Sequence, residues 1–350
     1  MEDNNINEEW HIAYGSSEEF APVLATSMLS LLERNKGIRI VFHIFMTGIT
    51  QESINELRVL ENEFDCKVIG IEKDIIDDYI LSIIDDTVKD REEFPFSDYG
   101  IRLRYARIVA PYFIPENVEK FLFLGADTLI ADSLKSLFEI DMGDSAIGMC
   151  FDAMTKWHKP ILNKPFNLKY CNNDVILINV SNWKKKLWTK RIFQAMAEHS
   201  DEYIFGEQDG MNCAMENEIV LLPARYNVMA PMLMYDYYAV MMMYGLSKDC
   251  YYKKDEFYEG KSNPAILHFA GNALGRPWTK NSKHIKKEIY DEVYYRTPLG
   301  NRPQENIEIP FESRIQRFFF RYFPRPFNNI IGIVMQKTYG FFFVRRQRLD

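Results

Sequence analysis

Several signatures that would indicate a function early are missing from this sequence. It has no Gly-x-Gly-x-x-Gly motif and no phosphate-binding loop ending in Gly-Lys-Ser/Thr, which removes the usual dinucleotide and P-loop fingerprints. Its five cysteines form no Cys-x-x-Cys pair, which argues against a disulfide framework or a zinc site and fits a reducing cytosol. No run reaches the roughly 18 apolar residues of a membrane-spanning helix, and the first ten residues do not resemble a secretory signal. A cytosolic enzyme is the starting expectation.

Positive charge is scarce except at one end of the chain. The formal net charge is −8, although residues 311–350 contain eight Arg or Lys and two acidic residues. The protein as a whole is therefore not built to bind nucleic acid. An acidic body with a basic tail predicts that the two parts meet different partners.

The hydrophobic pattern predicts an α/β fold with a mostly parallel central sheet. Short apolar runs alternate with segments of helical periodicity from the start of the chain. The predicted strands are 11–15, 38–45, 67–71, 120–124, 146–149, 175–180 and 219–222, and the predicted helices are 21–35, 53–64 and 97–113. Residues 296–310 are rich in Pro, Gly, Asn and Arg and are interpreted as a linker. In such sheets, ligands bind at the carboxyl ends of the strands.

The segment 121–130 places a carboxylate where that fold presents its chemistry. An apolar strand leads into the small turn Gly125-Ala126 and then Asp127. A hard divalent cation such as Mn²⁺ or Mg²⁺ takes oxygen ligands of this kind and can also hold a diphosphate. One Asp after a strand can equally be a plain turn residue.

Further motifs, in order along residues 11–280, resemble glycosyltransferase family 8, the retaining enzymes that use UDP-sugars. The opening strand and turn are followed by five stretches with the family's approximate spacing. These are Arg104-Tyr-Ala-Arg107, Cys171-Asn-Asn-Asp-Val-Ile-Leu-Ile-Asn-Val180 with Trp183, Glu207-Gln-Asp-Gly-Met-Asn212, Leu222-Pro-Ala-Arg-Tyr-Asn227 and His268-Phe-Ala-Gly271 with Arg276-Pro-Trp278. The resemblance implies one nucleotide-sugar transferase domain of the GT-A type over residues 1–295.

The resemblance also implies a role for each site residue. Asp127 and His268 would bind the metal, Mn²⁺ or Mg²⁺, and a neutral imidazole beside oxygen ligands suits Mn²⁺. Gly271 and Arg276 would contact the diphosphate of a UDP-sugar. Other residues would contact the nucleotide (Ala13, Gly15, Ser17, Ala126 and Asp127) or the donor sugar near the reacting carbon (Arg107, Asn172, Gln208 and Asp209). A core His, a surface Arg and turn-forming Asn residues are the alternative interpretations.

Four positions depart from the family's pattern. The first Asp of its Asp-x-Asp motif is Gly125, which predicts weaker metal binding because cation affinity follows the number and charge of the oxygen ligands. The uracil-facing acidic position is Ser17, and the glycine of the Asn-x-Gly signature is Asp174. The spacing between Gly271 and Arg276 is longer than usual. A non-catalytic homologue, another activated sugar and a metal-free reaction therefore remain alternatives.

The tail, residues 311–350, has eleven aromatic residues among its eight cations. Basic and aromatic composition suits a helix lying in the headgroup layer of an anionic membrane. A subdomain that packs these aromatics against the body is the alternative. We expect a cytoplasmic enzyme, peripheral on the inner face of the membrane. The family resemblance implies a glycan or glycolipid acceptor, such as lipopolysaccharide core, and a hexose, glucose or galactose, as the transferred sugar.

Overall fold

A seven-stranded sheet forms the centre of the protein. The structure, a computed structural model, describes residues 8–83, 99–156, 158–165, 167–199, 203–270 and 274–347. The strands are β1 (Glu9–Gly15), β2 (Arg39–Met46), β3 (Cys66–Glu72), β4 (Lys120–Leu124), β5 (Thr128–Ile130), β6 (Ile147–Phe151), β7 (Cys171–Asn179), β8 (Ile219–Leu221) and β9 (Ile266–His268). The order in the main sheet is β3-β2-β1-β4-β7-β6-β8, and β5 pairs with β9 in a separate two-stranded sheet.

Helices and short 3₁₀ turns connect these strands. The helices are α1 (Ala21–Arg34), α2 (Gln51–Leu57), α3 (Lys73–Ile83), α4 (Tyr99–Val109), α5 (Lys135–Phe138), α6 (His158–Ile161), α7 (Val180–Lys185), α8 (Trp188–Glu198), α9 (Glu207–Ala214), α10 (Ala230–Met234), α11 (Tyr237–Tyr244), α12 (Lys254–Ser262), α13 (Lys287–Tyr294), α14 (Phe311–Tyr322) and α15 (Arg325–Gln347). The 3₁₀ turns are Glu18–Phe20, Arg58–Asn62, Ala110–Tyr112 and Ala224–Tyr226.

The sheet is buried on both faces, as the apolar runs predict. Along β1, Ile12 and Tyr14 belong to one hydrophobic cluster and Ala13 to the other. In β4, Phe121 and Phe123 belong to one cluster, and Leu122 and Leu124 belong to the other. A strand covered by helices on both sides needs apolar residues at successive positions, which explains its continuous rather than alternating hydrophobicity.

The predicted α/β fold with a mostly parallel sheet is confirmed, and one strand is reversed. β1 is parallel to β2 and β4, β2 to β3, and β6 to β8. β7 is antiparallel to both of its neighbours, β4 and β6. The start of β7 therefore lies at the edge where β4 and β1 end. This reversal brings residues 171–174 to the carboxyl end of the parallel strands.

Two helices, α10 and α11, lie in a segment for which the hydrophobic pattern predicts no element. Residues 237–244 are apolar almost throughout, so they show no helical periodicity in the sequence. Gly245 ends α11 with a φ of +64°, a left-handed conformation that glycine adopts without strain.

The tail forms two helices, and one face of them packs on the body. Asn328 Nδ2 donates to the carbonyl oxygen of Met234 at 3.1 Å, and Asn329 Nδ2 donates to Asp236 Oδ2 at 2.9 Å. Large apolar side chains on the other face are exposed, among them Phe318, Tyr322, Phe327, Ile330 and Val334. Within the part of the chain that the structure describes, no helix is both long and apolar enough to cross a membrane.

Candidate active site

A cleft of about 370 Å³ opens where β1 and β4 end. The turn that follows each of these strands forms its floor, and two basic residues from α4 lie on its wall. The lining residues are Gly15, Ser16, Ser17, Phe20, Arg104, Arg107, Phe123, Leu124, Gly125, Ala126, Asp127, Asp174 and Arg276. The cleft therefore lies at the sheet edge that the sequence predicted, with both basic and acidic groups on its walls.

Strand pairing brings Asp127 and His268 together, although they are far apart in the chain. Asp127 immediately precedes β5, and the pairing of β5 with β9 places Thr128 opposite His268. Asp127 Oδ1 lies 3.4 Å from His268 Nε2. Burial raises the pKa of Asp127, but His268 and Arg276 outweigh it, so that the pKa is lowered overall. Asp127 is thus held as a carboxylate beside the imidazole.

The imidazole of His268 is oriented from behind by an asparagine. His268 Nδ1 lies 2.8 Å from Asn227 Oδ1, and Asn227 Nδ2 donates to Asn172 Oδ1 at 2.9 Å. Since Oδ1 can only accept, Nδ1 carries a proton. His268 Nε2 is buried and has no hydrogen-bond partner among the described residues. An imidazole held through one nitrogen by a neighbouring oxygen, with its other nitrogen turned toward a carboxylate, is typical of a metal-ligating histidine.

Arg107 on α4 joins the cleft wall to the start of β7. Its Nη1 donates to the carbonyl oxygen of Asn173 at 2.8 Å and lies 3.0 Å from Asp174 Oδ1. Glu207 Oε1 is 3.8 Å away. Burial raises the pKa of Glu207, and the charge of Arg107 opposes that rise. Arg107 therefore neutralises two carboxylates while it faces the cleft.

Gln208 lies in a network of weak hydrogen bonds at the beginning of α9. Its Oε1 accepts from Asn172 Nδ2 and from the Asn173 amide, both at 3.3 Å. Its Nε2 donates to Tyr170 Oη at 3.2 Å and Asp152 Oδ2 at 3.4 Å. The predicted sugar-binding residues Asn172 and Gln208 are thus in contact, and the side-chain amide has a fixed orientation.

Asp209 lies beneath this layer and is fully buried. Its carboxylate accepts from the Phe205 amide and contacts His158 Nε2, each at 2.8 Å, and it also accepts from the Tyr170 hydroxyl. The predicted contact between Asp209 and the donor sugar is at odds with this burial. The physical reason is that both carboxylate oxygens of Asp209 already have hydrogen-bond partners within the protein. Asp209 therefore supports Tyr170 and, through Tyr170, Gln208.

The nucleotide-binding residues predicted from the sequence separate into three groups. Gly15, Ser17, Ala126 and Arg276 line the cleft. Ala13 is fully buried in the core below it, and its side chain does not reach the cleft. Gly271 lies outside the described residues.

Comparison with known proteins identifies the family. Residues 11–282 match the family model described as Glycosyl transferase family 8. The chain belongs to glycosyltransferase family 8. A lipopolysaccharide 1,2-glucosyltransferase of Escherichia coli is 23% identical over 303 residues, which is 85% of this chain and 81% of that protein. General stress protein A of Bacillus subtilis is 23% identical over 197 residues, 55% of this chain and 65% of that protein.

Solved structures show the same fold. The galactosyltransferase LgtC, solved in complex with donor and acceptor sugar analogs, superposes with a TM-score of 0.63 at 21% sequence identity. The alignment covers 87% of this chain and 99% of that one. The protein is therefore a family 8 glycosyltransferase with the GT-A fold of LgtC and a helical C-terminal region.

Four further residues belong to this site although no role was predicted for them. Asp152 and Tyr170 hold the amide of Gln208, and His158 holds Asp209. Asn227, which orients His268, stands inside one of the family 8 motifs and so had a signal in the sequence. Asp152 directly follows β6, Tyr170 directly precedes β7, and His158 begins α6. No motif or spacing in the sequence predicts a role for these three residues.

The residues present fit the divalent cation that family 8 implies. Within the described residues, no group of three or more His, Cys, Asp or Glu side chains forms a preassembled metal site. His268 Nε2, however, is a buried nitrogen without a hydrogen-bond partner, and it points toward Asp127. An imidazole nitrogen beside a carboxylate that lines the cleft is a suitable pair of ligands for Mn²⁺.

Proposed function

We propose that this glycosyltransferase moves a hexose, glucose or galactose, from a UDP-sugar to a glycan or glycolipid with retention of configuration. Family 8 enzymes generally use a UDP-sugar and a divalent cation. The observation that carries the proposal is the pairing of Asp127 with His268 at the end of a cleft whose other wall holds Arg107.

The cleft divides into a nucleotide end and a sugar end. Gly15, Ser17 and Ala126 would contact the uridine, and Arg276 the diphosphate. A divalent cation bound by Asp127 and His268 would supply positive charge for the diphosphate leaving group. Arg276, whose guanidinium lies 5.3 Å from the ring centroid of Trp278, would stabilise the same developing charge.

At the sugar end, Gln208 is the side chain that we place beside the anomeric carbon. The neighbouring carboxylate, Asp209, is committed to three hydrogen-bond partners and is not available as a nucleophile. We therefore favour a front-face displacement. The acceptor oxygen bonds to the anomeric carbon, the bond from that carbon to the diphosphate oxygen breaks, and the acceptor proton passes to the departing diphosphate.

The tail favours an acceptor at a membrane. The exposed faces of α14 and α15 combine aromatic residues such as Phe318 and Tyr322 with Arg321 and Arg325. Each Lys or Arg close to an anionic surface contributes on the order of 1 kcal/mol. The proposed acceptor is a lipopolysaccharide core or another glycolipid on the cytoplasmic leaflet, with the enzyme peripheral to it.

A non-catalytic glycan-binding homologue is the second candidate, and Gly125 is the observation that favours it. The intact contacts among Asn172, Gln208, Asn227 and His268 support the enzyme instead. A site without function has no reason to retain a buried polar network in which each member satisfies the next.

Calorimetric titration with UDP, with and without Mn²⁺, tests the proposed function. Because Asp127 borders the cleft, Asp127→Ala should abolish the metal-dependent part of UDP binding. The matched control is Asp132→Ala, since the Asp132 side chain is 60% exposed and pairs with Arg225 away from the cleft. Metal-independent UDP binding would indicate a transferase that relies on Arg276. No UDP binding in either condition would contradict a UDP-sugar donor.

A further inference from the structure

Gly125 leaves one side of the cleft without a side chain, and another residue fills that space. A β-carbon added to Gly125 would lie 3.0 Å from Asp127 Oδ1, 3.1 Å from the β-carbon of Asp174 and 3.2 Å from Asp174 Oδ1. The Gly125 amide donates to the carbonyl oxygen of Asp174 at 2.7 Å, which fixes the end of β4 against the start of β7. A side chain at position 125 would thus be in tight contact with both Asp127 and Asp174.

The two oxygens of Asp174 face different partners. Oδ1 lies 3.0 Å from Arg107 Nη1, and Oδ2 lies 3.6 Å from His268 Nε2. The carboxylate is therefore oriented by an arginine on one side and turned toward the imidazole on the other. Asp127 Oδ1 approaches the same nitrogen at 3.4 Å.

We propose that Asp174 supplies the carboxylate that position 125 lacks, as a third protein ligand of a divalent cation held with Asp127 and His268. This inference rests on the proposed function. Two ligands about 2.1 Å from one cation at right angles are about 3 Å apart, so the observed separations need to close by only a few tenths of an ångström. The buried, unpartnered His268 Nε2 is the independent observation that points to a ligand between the carboxylates.

The departures at positions 125 and 174 are then a single event, in which the acidic residue has moved from one position to the other. An acidic residue is missing at position 125, an acidic residue stands at position 174 in place of glycine, and the two positions touch. If Asp174 served only as the ion-pair partner of Arg107, its removal would act on the cation through charge alone, and an acid introduced at position 125 would not restore the affinity as a ligand does. The two roles can therefore be separated by measuring the metal itself.

The experiment measures Mn²⁺ binding by the loss of the free Mn²⁺ signal in electron paramagnetic resonance, in the presence of UDP. Asp174→Gly and Asp174→Asn should each weaken Mn²⁺ binding by about tenfold or more, because one charged oxygen ligand is lost. The exchanged variant, Gly125→Asp with Asp174→Gly, should return to within about threefold of the wild type. Gly125→Asp alone should not bind more tightly than the wild type, since its side chain collides with Asp174.

Controls keep the outcomes distinct. Asp132→Asn should leave Mn²⁺ affinity unchanged, and the melting temperature of each variant reports folding. Unchanged affinity in Asp174→Asn, or an exchanged variant as weak as Asp174→Gly, would overturn the role of Asp174 and leave the proposed function standing if UDP still binds. A wild type that binds neither Mn²⁺ nor UDP would overturn both.

Discussion

Among single residues, Gln208 and Asp209 are neighbours in the chain with different surroundings. Gln208 contacts Asn172, Asn173, Tyr170 and Asp152 through hydrogen bonds of 3.2 to 3.4 Å. Asp209 is fully buried, and burial together with its charge raises the pKa of Tyr170 well above the ordinary value. The tyrosine therefore stays neutral and donates to Asp209. Under the proposed function, Gln208 contacts the donor sugar and Asp209 supports it from behind.

Substitution should separate these two roles. Gln208→Ala should reduce transfer by about a hundredfold or more with a small effect on stability, because it removes a group near the reacting carbon. Asp209→Ala should lower the free energy of unfolding by about 3 kcal/mol or more, since buried donors lose their acceptor. Urea unfolding and a transfer assay measure the two effects. A stable but inactive Asp209→Ala would instead favour direct contact with the sugar.

Site residues were predictable where a motif carries them. Asp127, His268, Arg107 and Gln208 belong to short patterns that the family resemblance makes visible, and the structure brings all four to one region. The support residues were not predictable, because a buried partner such as His158 is chosen by packing across elements. The sequence shows Asp174 only as a departure from the family's Asn-x-Gly signature, because its contact with position 125 exists only after folding.

Among the elements, β1 and β2 hold a buried pair of histidines. His11 Nδ1 lies 2.9 Å from His43 Nε2, and Glu9 Oε1 lies 3.1 Å from His11 Nε2. Burial, followed by repulsion from His11, lowers the pKa of His43 to about 3. One neutral imidazole can donate to the other, whereas two imidazolium rings would repel each other across the strand pair.

This pair should make stability depend on pH. Unfolded His43 binds a proton below a pH of about 6.5, and folded His43 does so only near its lowered pKa. Between these two pKa values, the unfolded state binds more protons than the folded state. The free energy of unfolding therefore falls as the pH falls, by up to about 1.4 kcal/mol per pH unit. His43→Gln should reduce this slope, as measured by urea unfolding between pH 6.5 and 4.5. An unchanged slope would assign the effect to other groups.

The elements were predicted well where their hydrophobic runs are continuous. The strand predicted at 120–124 matches β4, and that at 38–45 differs from β2 by one residue at each end. The helix predicted at 53–64 is divided into α2 and a 3₁₀ turn. The direction of β7 could not be predicted, because a buried strand has the same composition whichever way it runs.

At the scale of the whole molecule, the proposed boundary at residue 295 remains a prediction. The segment 296–310 has no helix or strand, as its composition predicts, yet Leu299 is fully buried in the core. Arg302 lies in the same segment, and its Nη1 is 2.8 Å from Glu18 Oε1, beside the cleft. Pro- and Gly-rich composition predicts an irregular backbone, and it says nothing about whether that backbone packs on the body.

Association with membranes should depend on the exposed face of the tail. Replacing Phe318 and Tyr322 by Ser should weaken binding to anionic vesicles by about tenfold or more, because two exposed aromatic rings no longer enter the headgroup layer. Vesicle co-sedimentation measures the change, and added salt should weaken binding further. Tyr295→Ser, an equally exposed aromatic on the body, is the matched control. Equal loss in the control, or no loss in the tail variant, would contradict this role.

The crowding between position 125 and Asp174 also has a historical consequence. A lineage that lost an acidic residue at position 125 before it gained Asp174 would pass through a site short of one negative charge. A lineage that gained the acid at position 174 first would have to hold two side chains in tight contact. Under the proposed exchange, either order passes through a site that is short of one ligand or crowded, so a single reversal does not restore the other arrangement.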